Sequence, residues 1–258
     1  NIPLEPEKNV CTVAAQALLN SLEKKPSNGY SFSITKKVAA GSGLGSSASS
    51  SAAAVVALNE LLGSPFSRHE LIPFAMKGEA LASGTEHADN VAPSILGGFT
   101  LVQSYEPLRV VNLHYPEDLV ATIVHPHVEV KTADSKRILR QNIPLKTAIT
   151  QWANVGGLVA GLAQEDFELI GYSLQDVVAE PTRSMLIPMY EQVKILSKEL
   201  GALGCSISGS GPSIFMLSDA MNIAQSLAES LKDLYMDNLI SCDVYLSKIN
   251  RMGCQVIQ

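Results

Sequence analysis

Residues 40–51, Ala40-Gly41-Ser42-Gly43-Leu44-Gly45-Ser46-Ser47-Ala48-Ser49-Ser50-Ser51, constrain this chain more than any other stretch. Three glycines within five residues open backbone conformations closed to other residues and let another group approach without Cβ interference. The serines that follow can cap a helix start. Ala52 to Leu58, continued by Leu61 and Leu62, predicts an apolar helix that stops at Gly63, a C′ glycine. Upstream, Tyr30, Phe32 and Ile34 alternate with polar neighbours, the pattern of a half-buried strand. A strand, a glycine loop and a helix start place free N–H groups and the positive end of a helix where an anion, most often phosphate, can sit. A tight strand-to-helix turn that binds nothing has the same composition. The spacing separates this loop from two commoner ones. No Gly-Lys pair occurs in the chain, as a Walker loop requires, and Gly41, Gly43 and Gly45 run G-x-G-x-G rather than G-x-G-x-x-G.

Composition narrows the function classes. With 258 residues the chain can bury one large core or two smaller ones. Its net charge of −6 sets up no basic field for nucleic acid or an anionic membrane. No apolar run reaches membrane-span length, and no secretory signal is visible. Cys11, Cys205, Cys242 and Cys254 are widely spaced with no C-x-x-C pair, which favours free thiols in a reducing cytoplasm. The opening Asn1-Ile2-Pro3-Leu4-Glu5-Pro6 reads like the interior of a longer protein.

The rest of the chain mixes helices and strands. Apolar spacing predicts a helix over 9–22. Ser67-Arg68-His69-Glu70 forms a capping box, with Phe66 and Leu71 as its hydrophobic staple. Its helix should run toward Ser83-Gly84 and carry Glu79, with Pro73 imposing a kink or a late start. Strands are expected at 99–102, 109–113, 119–124 and 242–246, and a strand–turn–strand over 205–217. Helices are expected over 133–139, 145–162, 166–178, 184–200 and around 223–234. This is not a regular βαβα alternation, so the class is α+β. A boundary near Tyr115-Pro116-Glu117 divides the chain into domains 1–116 and 117–258.

Gly43-Leu44-Gly45-Ser46-Ser47-Ala48 resembles the phosphate loop of the GHMP kinases, the superfamily of galactokinase, homoserine kinase, mevalonate kinase and phosphomevalonate kinase. Ala39 stands where that family usually has a proline. The resemblance implies a two-domain fold: an N-terminal mixed α/β domain bearing the loop, and a C-terminal ferredoxin-like α+β domain. It implies ATP cradled by Ala40, Gly41, Ser42, Gly43, Leu44, Gly45, Ser46, Ser47 and Ala48. Phosphoryl transfer also needs Mg²⁺, which takes a few hard oxygens and keeps several waters. The Ser47 hydroxyl and the Glu79 carboxylate are the candidate ligands, although a helix-end glutamate is more often simply solvated.

Gly78-Glu79, then His87-Ala88-Asp89-Asn90-Val91-Ala92-Pro93 and Gly97-Gly98-Phe99, resembles the homoserine kinase branch, whose mark is H-x-D-N. That implies L-homoserine as the substrate, faced by His87 and Asn90; Asp89 is open between a structural and a direct role. Glu180-Pro181-Thr182-Arg183 resembles the family's E-P-x-R segment, in which arginine binds the substrate carboxylate. Thr132 would lie near the transferred phosphate. A second family arginine falls here on Lys136, next to Arg137, so either could make that contact; a solvated basic helix start is the alternative. Ser208-Gly209-Ser210-Gly211-Pro212-Ser213 matches the family's third motif, a glycine turn beside the phosphate loop.

The family's first motif, an Asn-Leu-Gly segment, is absent here, and a chain complete from Asn1 is expected to be weakly active or inactive. The leading expectation is a cytoplasmic ATP- and Mg²⁺-dependent homoserine phosphotransferase of threonine biosynthesis, with room left for a homodimer. A mevalonate-like kinase and a non-catalytic ligand-binding relative are the alternatives.

Overall fold

The computed structural model describes residues 2–128, 130, 135 and 137–257. The chain divides into two compact units, one of Asn1–Ala40, Gly45–Asn112 and Asn250–Gln258, the other of Gly41–Leu44 and Leu113–Ile249.

The first unit is built on helices α1 (Val10–Ser21), α2 (Ser46–Leu61), α3 (Ile72–Ser83) and α4 (Val91–Leu96), with the hairpin β1 (Phe99–Tyr105) and β2 (Leu108–Leu113). Asn9 caps α1, its side-chain oxygen accepting from the Cys11 amide at 2.9 Å. The core gathers Leu18, Val55, Leu58, Leu71, Ile72 and Ile95, each at most 1% exposed. Burying each such side chain contributes about 2 kcal/mol. Helix α3 meets its neighbours at Gly78, where an added Cβ would lie 2.3 Å from the Val10 carbonyl and 2.6 Å from Ser51 Oγ.

The capping box forms, with Glu70 Oε2 accepting from the Ser67 amide at 2.8 Å. The helix proper begins at Ile72, so Pro73 produces the late start. The last residues return to this unit: the Cys254 amide donates to the Ser94 carbonyl at 2.8 Å, and Arg68 Nη1 donates to the Cys254 carbonyl at 2.6 Å.

The strand expected at Tyr30, Phe32 and Ile34 is not formed. Exposure alternates as predicted, these three half-buried and their neighbours exposed, but no backbone ladder joins the segment to another strand among the described residues. An extended run without a hydrogen-bonded neighbour is not a strand.

The second unit follows the order β–α–β–β–α–β. Its sheet holds β3 (Val120–Pro126), β4 (Gly204–Ile207), β5 (Ile214–Ser218) and β6 (Cys242–Lys248), in the order β4-β5-β3-β6. All three pairings are antiparallel, with Thr122 opposite Met216 on one side and Leu246 on the other. This is the ferredoxin-like arrangement. Between β3 and β4 run α5 (Leu145–Gln164), α6 (Phe167–Ser173), α7 (Glu180–Arg183) and α8 (Tyr190–Glu199), and α9 (Met221–Asp237) precedes β6. Val124, Val193, Ile214, Met216, Leu227, Leu231 and Tyr235 form the core.

Two expected helices are shorter than their periodicity. The helix over 166–178 stops at Ser173, because the Asp176 carboxylate accepts from the amides of Val178 and Ala179, both at 2.8 Å, and so starts a new turn. The helix over 184–200 begins only at Tyr190, after Pro188 and Met189, the latter in the left-handed region at φ +63°. Of the helix expected over 133–139, residues 133, 134 and 136 lie outside the described residues.

Candidate active site

Gly41, Gly43 and Gly45 all lie at positive φ, between +67° and +78°, a run that only glycine adopts without strain. Gly45 is the N-cap of α2, and no side chain caps that end. The serines therefore do not cap the helix. Ser46 Oγ donates to the Val38 carbonyl at 3.0 Å, and Ser49 and Ser50 donate back to the Ser46 carbonyl at 3.1 and 2.9 Å. The amides of the first turn are left to an external acceptor, at the positive end of the helix. Lys36 adds a cation, its Nζ donating to the Ser46 carbonyl at 3.2 Å and to Ser46 Oγ at 3.3 Å. Sequence reasoning missed Lys36; the basic pair Lys36-Lys37 just ahead of the loop is the signal that marks it. Beside this helix start, a cavity of about 330 Å³ is walled by Phe32, Ile34, Ala53, Ala54 and Ala57, with Lys36 on its rim.

Glu79 sits on the penultimate turn of α3, 8% exposed. Burial pushes its carboxyl above the usual range; the nearby Ser47 hydroxyl and the Lys36 and His87 charges oppose this, and Asp89 adds to it. Its Oε2 has no hydrogen-bond partner among the described residues. A buried carboxylate oxygen left over beside a serine hydroxyl is costly as it stands. The pair suits a hard divalent cation that takes few protein oxygens.

The H-x-D-N segment lies in the same unit. Asn90 precedes α4 and packs on the loop, its Oδ1 3.4 Å from where a Cβ on Gly45 would be. His87 Nε2 is 2.6 Å from Thr85 Oγ1.

In the second unit, the turn between β4 and β5 holds the other part of the loop. A Cβ on Gly43 would fall 2.6 Å from the Ser208 carbonyl. Ser208 Oγ donates to the Gly43 carbonyl at 2.9 Å, and Ser213 Oγ donates to the Ser42 carbonyl at 2.5 Å. His125, 6% exposed, approaches Ser213 Oγ with Nδ1 at 3.1 Å. Ser213 spends its proton on Ser42, so His125 Nδ1 carries the hydrogen and donates. Burial holds the His125 pKa below its ordinary 6.5, with His127 lowering it further and Asp243 opposing.

Arg183 Nε donates to the Ser135 carbonyl at 3.3 Å, and its Nη1 donates to the Gly209 carbonyl at 3.1 Å. Its remaining terminal nitrogen bonds no described residue. Glu180, buried, pairs with Lys194 and accepts from Ser206 at 3.2 Å. It therefore braces the segment that presents Arg183. The first unit thus brings together Ser46, Ser47, Glu79, His87 and Asn90, and the second sets Arg183 beside the Ser208–Ser213 turn. Thr132 and Lys136 lie outside the described residues.

Two family models match the chain, the GHMP kinases N terminal domain over residues 9–98 and the GHMP kinases C terminal over residues 158–233. The homoserine kinase of Chloroherpeton thalassium is 44% identical over 262 residues, covering 99% of this chain and 82% of that protein. The homoserine kinase of Chlorobium phaeobacteroides is 44% identical over 264 residues, with the same coverage of 99% and 82%. Among solved structures, the homoserine kinase of Cytophaga hutchinsonii superposes with a TM-score of 0.92 at 49% identity, covering 100% of this chain and 81% of that one.

Proposed function

The chain belongs to the GHMP kinases, and on that premise we propose that it transfers the γ-phosphoryl group of ATP to the side-chain hydroxyl of L-homoserine. The homoserine oxygen forms the new P–O bond, the bond to the β–γ bridging oxygen breaks with that oxygen leaving on ADP, and the hydroxyl proton passes to water. The products are O-phospho-L-homoserine and ADP, which places the reaction in threonine biosynthesis.

The observation that carries the reading is the buried Glu79 carboxylate near Ser47 at an uncapped helix start, its Oε2 without a hydrogen-bond partner among the described residues. Ser47 and Glu79 would hold Mg²⁺, which supplies charge neutralisation to the phosphate oxygens. Residues 40–48 would cradle the phosphates on main-chain amides, with Lys36 adding charge at the Ser46 end. The cavity walled by Phe32 and Ile34 suits a flat apolar base. His87 and Asn90 are assigned to the amino acid. Arg183, as a planar fork, is assigned to its carboxylate. Thr132 is assigned to the transferred phosphate and Lys136 to a second substrate contact. The residues present rely on positioning and electrostatics rather than on a strong base. We assign nucleotide binding to residues 1–116, the second domain to 117–258, and the enzyme to the cytoplasm. Among the described residues no helix is long and apolar enough to cross a membrane.

A coupled ADP-release assay tests this reading. Mg²⁺-dependent turnover with L-homoserine, at least about 100-fold above that with mevalonate, is the expected result. Turnover with mevalonate alone, or nucleotide binding with no alcohol accepted, would overturn it.

A further inference from the structure

Two successive carbonyls of the glycine loop are tied down within the second unit. The Ser42 carbonyl accepts from Ser213 Oγ at 2.5 Å and from the Ser213 amide at 3.3 Å. The Gly43 carbonyl accepts from Ser208 Oγ at 2.9 Å. In a trans peptide the N–H points away from the C=O that shares its plane. Fastening the Ser42 carbonyl to the β4–β5 turn therefore aims the Gly43 amide away from that turn. The Leu44 amide is partly spent on Ser42 Oγ at 3.4 Å, whereas the Gly43 amide donates to no described residue.

The hydroxyl that holds Ser42 is itself held. Ser213 precedes β5, and the register that sets Val124 opposite Ile214 brings His125, the next residue of β3, alongside it. Ser213 is 0% exposed, Ser42 1% and His125 6%, so solvent does not compete for these atoms. A serine hydroxyl has one proton and rotates to suit its neighbours. With the hydrogen on Nδ1, the imidazole donates to Ser213 Oγ at 3.1 Å, and the serine proton is left for the Ser42 carbonyl. With Nδ1 bare, the ring would draw that proton to itself, and the carbonyl would lose its shortest hydrogen bond. On its other side His125 is paired in register with Asp243 of β6, whose carboxylate is engaged by His127 Nε2 at 3.0 Å.

With residues 40–48 assigned to ATP as above, we propose that His125 is a positioning residue for the nucleotide phosphates. It turns the Ser213 hydroxyl onto the Ser42 carbonyl and so keeps the Gly43 amide presented to the anion. Donors set in place before the ligand arrives need no reorganisation to bind it. Losing that setting costs nucleotide affinity. A histidine that only filled space beneath the loop would be replaced equally well by any side chain of its size.

The test is calorimetric titration of the 258-residue chain with ATP in excess Mg²⁺, each variant first checked for folding by circular dichroism. His125→Leu, which keeps bulk and removes the donor, should weaken binding by about 10-fold, and Ser213→Ala by at least as much. His125→Asn, with an amide near the position of Nδ1, should recover most of the loss. His125→Gln, whose amide stands near Nε2 instead, should bind as weakly as His125→Leu and replaces it in the comparison if that variant does not fold. In the Ser213→Ala background, His125→Leu should add less than about 2-fold, because the group it acts through is gone. Wild-type affinity in the leucine or glutamine variant, an asparagine variant as weak as these, or additive losses in the double variant would each overturn the inference. The readout is nucleotide binding, so a chain that bound ATP but accepted another alcohol would still decide it. A wild type that binds no ATP would overturn the phosphate cradle and the positioning role together.

Discussion

Glu79, 8% exposed, carries the cost of a carboxylate oxygen without a partner among the described residues, and in the second unit hydrogen bonds orient Arg183 and His125. Arg183 already spends Nε and Nη1 on the carbonyls of Ser135 and Gly209, which fixes the direction of its fork. Arg183→Ala should raise KM for L-homoserine by about 100-fold while changing KM for ATP by less than about 3-fold. Steady-state kinetics in both substrates check this, and equal effects would refute the carboxylate contact.

His125 makes a prediction in pH. Its folded pKa lies below the ordinary 6.5, so below that value the unfolded chain takes up the proton first. Stability should therefore fall as pH drops through and below about 6.5. His125→Asn keeps a donor near the position of Nδ1 and does not titrate there, so urea midpoints for this variant should vary less between about pH 5 and pH 7.

At this scale Glu79 and Ser47 were legible only because loop and carboxylate recur in a known order. Lys36 was missed, since its one signal, the basic pair Lys36-Lys37 ahead of the glycine loop, has no fixed spacing to that loop.

Among the elements of the second unit, the segment Gly41–Leu44 depends on the turn linking β4 and β5. Gly43 is at φ +78° and lies within 2.6 Å of the Ser208 carbonyl once a Cβ is added. Gly43→Ala should destabilise the protein by about 2 kcal/mol and raise KM for ATP about 10-fold or more, read by thermal unfolding and kinetics.

Helices with unbroken apolar periods, α1, α5 and α9, were readable from spacing, and so were the strands of the second sheet. The failures have local causes. Asp176 caps a new turn and shortens α6, and Pro188 with Met189 delays α8. Tyr30, Phe32 and Ile34 show the period of a strand, but a strand also requires a neighbour, which side-chain spacing does not supply.

For the molecule as a whole, the ferredoxin-like order of the second unit follows from the order of its elements, whereas the return of residues 250–258 to the first unit does not. That return rests on Cys254 and Arg68, neither of which carries a periodic signal. The proposed chemistry requires a divalent cation shared by Ser47 and Glu79 beside the loop. Calorimetric titration of ATP with and without Mg²⁺, on the wild type and on Glu79→Ala, tests this directly. Mg²⁺ should tighten wild-type binding by about 10-fold or more and leave the variant unchanged, with the variant's metal-free affinity near that of the wild type. A variant that gains as much from Mg²⁺ as the wild type would contradict it.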